Sequence, residues 1–271
     1  VFMVAACASV LAVFLICLFL FANGLPAIAK IGPVKFLLGT TWKPSNDKFG
    51  IFPMIIASIY VTGGAILIGV PIALFTSVFM ARYCPQKIYR PLKSGIELMA
   101  GVPSIVYGFF GLVLMVPLIR NTFGGTGTSW LAASLLLAIM ILPLIMRTTE
   151  EALKAVPDSF REGSFGLGAG KLRTVFKIVL PSAIPGILAG IILAVGRIVG
   201  ETAALIYTAG TVAQVPTNVF GSGRTLAVHM YNLSSEGLYM DQAYATAVIL
   251  LILVVGINTI SSVIAKKLTK A

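Results

Sequence analysis

Residues 180–211 read LPSAIPGILAGIILAVGRIVGETAALIYTAGT, and within these 32 positions only Arg197 and Glu201 are charged. A helix rises ~1.5 Å per residue, so about 20 apolar residues cross the ~30 Å hydrocarbon layer of a bilayer. A soluble helix of this length would carry a polar face, and this stretch has none. It reads as a membrane span. Five further apolar blocks lie at about 1–22, 52–81, 94–119, 130–146 and 242–265; the fourth, about 17 residues long, is near the lower limit for a crossing. The expected fold class is all-α integral membrane, with about six transmembrane helices. Composition agrees: 58% of the 271 residues are hydrophobic and 11% charged, where a soluble domain carries about a quarter charged.

Lys and Arg outnumber Asp and Glu by 20 to 9, a net charge of +11. Nucleic acid would call for that charge as a patch on a soluble domain. Here the basic residues flank spans, so no nucleic-acid partner is expected. Thirteen fall in the connections 82–93 and 147–177 and in the tail with Lys266, Lys267 and Lys270; six lie on the opposite side. The richer side is expected to be cytoplasmic, with both termini there and the lipid bilayer as surroundings. Cys7, Cys17 and Cys84 form no CxxC or Cys/His cluster, so neither a disulfide framework, a metal site nor a cofactor is expected. The first span lacks a charged n-region and runs into Asn23-Gly24-Leu25-Pro26, unlike a signal peptide, and a start at Val1 points to residues upstream.

The outer connections 23–51 and 212–241 are polar and rich in Gly, Pro, Ser and Asn. They read as solvated loops, with docking surfaces as the alternative. His229, the single histidine, reads as a solvated loop residue, with a ligand or a pH switch as the alternative. Asn232-Leu233-Ser234 fits the glycosylation sequon and decides nothing.

The longest inner connection, about 147–179, contains Pro157, which interrupts one helix, and Asp158 or Ser159, which can cap the next. Phe160, Ser164 and Leu167 then share a face, and Gly166, Gly168 and Gly170 weaken and end that helix. Lys171, Arg173 and Lys177 begin another helix, which enters the membrane at Leu180-Pro181. A short helix held crosswise between spans is either a lever driven by a soluble partner or a surface helix at the headgroups, for which Phe160, Phe165 and the basic residues would serve. The run Gly166-Leu167-Gly168-Ala169-Gly170-Lys171 is not a phosphate loop, because position 165 is Phe and Leu172 follows the lysine. No nucleotide hydrolysis by this chain is expected.

Arg197 and Glu201 stand four residues apart, placing them on one helix face. An ionisable group at membrane depth costs roughly 2.5–3.5 kcal/mol on insertion scales. One reading is an internal ion pair at a helix contact. The other is a solute pathway, in which the planar Arg fork suits an oxyanion. An ionised Glu repels a fully deprotonated oxyanion but accepts a hydrogen bond from one that retains a proton, as phosphate does near neutral pH and sulfate does not. Gly186, Gly190, Gly196 and Gly200 offer small-residue surfaces for close helix approach. Glu97 reads as a snorkelling or ion-paired carboxylate near the inner end of the third span, Asn258 as helix glue, and Gly101 with Pro103 as a bend beside Tyr107.

Glu162-Gly163-Ser164, three residues, Gly168, nine residues, then Ile178-Val179-Leu180-Pro181 resembles the EAA loop of binding-protein-dependent ABC importer permeases, with Gly163 and Ser164 in place of the two alanines. Val156-Pro157 through Gly168, and Gly196 through Thr202, resemble the phosphate-specific permeases of the PstC/PstA type. Trp42-Lys43-Pro44, Phe49-Gly50, Ile96-Glu97-Leu98 and Val102 through Gly108 are closer to the PstC type. The resemblance implies a type I ABC importer (MetI-like) architecture: a single permease domain over 1–271, in the cytoplasmic (inner) membrane of a prokaryote. It implies a second permease subunit of the PstA type, two ATPase subunits, an extracytoplasmic phosphate-binding protein and inorganic phosphate as solute. It assigns coupling to the ATPase to Glu162, Gly168, Phe160, Phe165 and Leu167, and phosphate passage to Arg197 and Glu201. The rival readings are a permease for sulfate or molybdate, an ion channel or secondary transporter, and a membrane enzyme. For the last, no converging His, Asp or Ser groups are visible.

Overall fold

The computed structural model describes residues 2–216 and 218–270. Val1, assigned above to the first span, and the side chains of Lys266, Lys267 and Lys270 lie outside what is described. Among the described residues six helices are long and apolar enough to cross a membrane. In chain order, α1 (Phe2–Ile31) and α2 (Pro33–Leu38) lead to an antiparallel ribbon of β1 (Trp42–Lys43) and β2 (Lys48–Phe49), a small departure from an all-helical chain. Next come α3 (Phe52–Arg82) and α4 (Gln86–Gly101). The span Ser104–Phe123 joins α5 (Ser104–Phe110) and α6 (Val116–Phe123) through a π-helical turn, Gly111–Met115. α7 (Trp130–Ala155) precedes the short α8 (Asp158–Gly166). The span Lys171–Val199 joins α9 (Lys171–Thr174) to α10 (Leu180–Val199) through a second π-helical turn, Val175–Val179. α11 (Ala203–Thr208), α12 (Leu226–Glu236) and α13 (Met240–Lys270) complete the chain.

α7 is the hub, packed between α3 and α10. In lipid, helices associate by close van der Waals fit rather than by escaping water, and small side chains permit that fit. Ala57, Ala65 and Ala73 of α3 meet Ala133, Leu136, Leu137 and Ile141 of α7, all fully buried. On the other side of α7, a Cβ added at Gly186 would come 2.6 Å from Ala152 Cβ, and one at Gly190 would come 2.0 Å from Thr148 Oγ1. The Gly186/Gly190 surface is therefore used. Gly196 and Gly200 are not: a Cβ at Gly196 would meet only Asn258, at 3.7 Å, and one at Gly200 only the backbone of its own helix.

Four of the spans differ from the sequence reading, the fourth because its helix runs on from 146 to Ala155. The first helix continues past residue 22 to Ile31, with the Asn23 side chain folded back onto Phe19 O at 2.8 Å and Gly24 packed under Tyr244. The third span begins at Ser104 rather than 94, because Val102 and Pro103 are extended (ψ 126° and 144°). A proline drives its predecessor out of the helical region. Residues 86–101 instead form a separate helix, α4, in which Lys87, Arg90, Lys93 and Glu97 interleave with Ile88, Leu92 and Ile96. The fifth span ends at Val199; it does not continue through 211.

Candidate functional site

That early ending reshapes the Arg197/Glu201 pair. Gly200 closes α10 and Thr202 leaves helical geometry (φ −126°, ψ −54°) before α11 begins. Arg197 thus occupies the last turn of a spanning helix, where a cation complements the C-terminal carbonyls, and Glu201 lies beyond it. No ion pair joins the two among the described residues. Glu201 is buried, and its Oε1 accepts the Ala204 N–H at 3.2 Å, satisfying an orphan donor of α11. The expected shared face does not exist, since the chain turns between the two residues.

Arg197 points the other way. Pro181, Pro185, Ala189, Leu193 and Arg197, spaced by four, form the exposed stripe of α10, opposite the buried Ile187, Gly190, Ala194 and Ile198. Tyr107 donates to Met99 O at 2.8 Å, closing the corner made by Val102 and Pro103. α11 crosses α5 beside it, with the Phe109 and Tyr207 rings stacked at 4.9 Å. The arrangement sets a guanidinium without an ion pair among the described residues on an open face, with a buried carboxylate around the bend.

At the basic end, α8 projects from the bundle. Pro157 is its N-cap, so neither Asp158 nor Ser159 caps it, and Asp158 pairs instead with Arg161 at 2.7 Å. Gly168 ends it with φ +80°, a left-handed conformation that favours glycine. The Ala169 N–H then reaches back to Ser164 O at 3.1 Å. Phe160, Ser164 and Leu167 do share a face: with Gly163, Gly168 and Arg173 they line an open cleft of about 500 Å³. Phe165 and Glu162 are exposed, and Glu162 makes no hydrogen bond or ion pair among the described residues. The Ser164 and Thr174 hydroxyls, 2.9 Å apart, tie α8 to α9.

Other polar groups depart from the sequence reading. Glu97 lies on α4, exposed and without an ion pair among the described residues, at the rim of a cavity of about 210 Å³ with Lys93, Arg147 and Glu151. Beside it, Tyr89 and Lys154 both donate to Glu150, docking α4 onto α7. The i,i+4 spacing of Glu150 and Lys154 was a readable signal; Tyr89 was not. His229 is not solvated. It is fully buried on α12, edge-on to Trp42 with ring centroids 4.2 Å apart, and neither ring nitrogen has a hydrogen-bond partner among the described residues. Burial, reinforced by Arg224, holds its pKa well below the usual imidazole range.

The model of the family described as "binding-protein-dependent transport system inner membrane component" matches residues 69–271. The chain is 36% identical to the probable ABC transporter permease protein YqgH of Bacillus subtilis, over 82% of this chain and 74% of that one. It is 31% identical to the phosphate transport system permease protein PstC of Mesorhizobium japonicum, over 86% and 78%. Among solved structures, a bacterial alginate ABC transporter chain superimposes with a TM-score of 0.71 at 14% identity, over 100% of this chain and 96% of that one. A chain of the inward-facing MetNI methionine ABC transporter gives 0.60 at 24%, over 81% and 94%. At these identities the superpositions speak for the fold alone.

Proposed function

The chain belongs to the binding-protein-dependent transport system inner membrane component family, and on that premise we propose that it forms half of the translocation path of an ATP-driven importer of inorganic phosphate. It is a multi-pass inner-membrane permease subunit with the MetI-like fold, and ATP hydrolysis belongs to separate subunits. The observation that carries phosphate is the extended similarity to a phosphate transport permease, joined to the Arg197 guanidinium on an open helix face.

In this reading the second permease, of the PstA type, covers the exposed stripe of α10, and the path runs between the two subunits past Arg197. The guanidinium fork donates to two phosphate oxygens. Glu201 is buried around the bend with Oε1 on the Ala204 N–H; it comes to face the path when the bend at Gly200 rotates during the cycle, and its other oxygen then accepts the proton that phosphate retains. Sulfate offers no such proton, which makes the carboxylate the selective element. The chain acts as one permease domain, with both termini and the connection around α8 on the cytoplasmic side. Phe160, Glu162 and Phe165 of α8, with Leu167 just beyond its end, meet an ATPase subunit, while Gly168 holds the turn. Two ATPase subunits closing on ATP push α8 and open the path outward, where a phosphate-binding protein delivers its cargo; hydrolysis returns the path to the inside.

Radiolabelled phosphate uptake with excess sulfate present, in cells with and without the gene, tests the solute. Uptake that is sulfate-resistant and gene-dependent supports phosphate; gene-dependent uptake of sulfate or molybdate instead would reassign the solute. Arg197→Ala is expected to drop uptake to background while the complex still assembles, and normal transport in that variant would remove Arg197 from the path.

A further inference from the structure

Three helix ends meet at the basic end of the bundle: the C-terminus of α3, the C-terminus of α7 and the start of α9. The last two flank α8 in sequence, whereas α3 has no chain continuity with it. Arg82, the last residue of α3, donates from Nη2 to the carbonyl of Leu153. That oxygen belongs to the last turn of α7, whose carbonyls have no partner within the helix. A cation there also complements the helix dipole. The next residue, Tyr83, presents its ring to the Lys171 ammonium, 4.7 Å from the ring centroid, at the first position of α9. Consecutive residues of α3 thus hold both stalks of α8, one through a carbonyl and one through a cation–π contact.

Apolar packing makes the junction a unit. Val78 of α3, Leu153 and Val156 at the end of α7, and Val175, Val179, Ala183 and Ile187 form one buried cluster, with Tyr83 packed against it. Val175 and Val179 bound the π-helical turn within this cluster, a geometry that recurs at functional sites. α8 is joined to the rest through its stalks, by packing on the π-helical turn and α9 and by the Ser164–Thr174 hydroxyl contact, and its Asp158 and Arg161 lie within electrostatic reach of Arg82. Any displacement of α8 therefore enters the bundle through its stalks, and the stalks are fastened to α3.

We propose that Arg82 and Tyr83 are positioning residues that make α3 move as one body with α8, so that force applied to α8 reaches the third helix of the bundle as well as the two it is continuous with. The proposal rests on the reading of α8 as the element that meets the ATPase. In the reconstituted full complex, ATPase activity measures docking on α8, and phosphate transported per ATP measures transmission. Arg82→Ala is expected to keep the complex and its basal ATPase activity while transport per ATP falls roughly five- to tenfold, a coupling loss of the usual size. Arg82→Lys, which retains a donor and a charge, is expected to recover part of it. Tyr83→Phe is expected to behave as wild type and Tyr83→Leu as Arg82→Ala.

In a chain lacking Cys7, Cys17 and Cys84, spin labels placed by Phe75→Cys on α3 and Ser159→Cys on α8 give a readout independent of solute. Their separation should stay constant through the nucleotide cycle in the otherwise wild-type complex and shift with nucleotide in Arg82→Ala. Unchanged transport per ATP, or a constant separation in that variant, overturns the proposal. Loss of the fixed separation in the otherwise wild-type complex would do the same. A wild-type complex in which cross-linking finds no ATPase subunit at α8 would instead overturn the underlying reading of α8.

Discussion

An imidazole without a hydrogen-bond partner is costly to bury, and His229 is buried with neither nitrogen satisfied among the described residues. Its pKa is lowered in the folded protein by burial and by Arg224, so the unfolded chain takes up a proton at a pH where the folded chain does not. The contribution of His229 to folding stability is therefore constant above about pH 6.5 and falls as pH drops below it, by up to ~1.4 kcal/mol per unit, until the folded state protonates as well. Thermal unfolding of the purified protein between pH 8 and pH 5 is expected to show that decline, and His229→Phe to flatten it. An equal slope in the variant would place the acid sensitivity elsewhere. The sequence hid this residue because its neighbours read as loop, while Trp42, which encloses it, comes from a distant ribbon. Arg197 was legible for the opposite reason: a charge within an apolar block stands out without knowledge of any contact.

Elements were legible where the signal is local. Pro157 and Gly168 bracket α8 because a missing N–H and a positive φ act on the chain within a turn. Boundaries were lost where two elements shared one apolar run. Gly95 to Ala100 merges by composition with the span that begins at Ser104, and Glu201 to Thr211 merges with α10, so Pro103 and Gly200 had to be recognised as breaks inside apolar sequence. The packing of α10 on α7 gives a test at this scale. Gly190→Leu would drive a side chain into Thr148 Oγ1, and overpacking of this kind costs about 1–3 kcal/mol. Reduced thermal stability of the purified subunit is expected, with the milder Gly190→Ala less affected; wild-type stability in both would mean that α10 stands further from α7. For α8, Glu162→Lys reverses the one carboxylate left without a partner on the exposed helix. Co-purification of the ATPase subunits is expected to fall, and undiminished recovery with solute-stimulated hydrolysis would take Glu162 out of the docking surface.

At the scale of the whole molecule, six spans and an uneven distribution of charge were legible together, since both are sums over many residues and survive errors at any boundary. The structure gives that charge asymmetry a location: α4, α8 and the ends of α3 and α7 lie at the basic end, while the β1–β2 ribbon and α12 lie at the other. If basic connections are retained inside, the basic end is cytoplasmic, where ATPase subunits are found, and the ribbon faces the binding protein. Ser45 and Ser159 are exposed at opposite ends, so Ser45→Cys and Ser159→Cys, each made in a chain lacking Cys7, Cys17 and Cys84, report the orientation directly. In intact cells whose outer layers are permeable to it, a membrane-impermeant thiol reagent is expected to label position 45, and to label position 159 only after the inner membrane is opened. The reverse pattern would put α8 out of reach of ATP, and the coupling role of that helix would fail with it, whatever the solute.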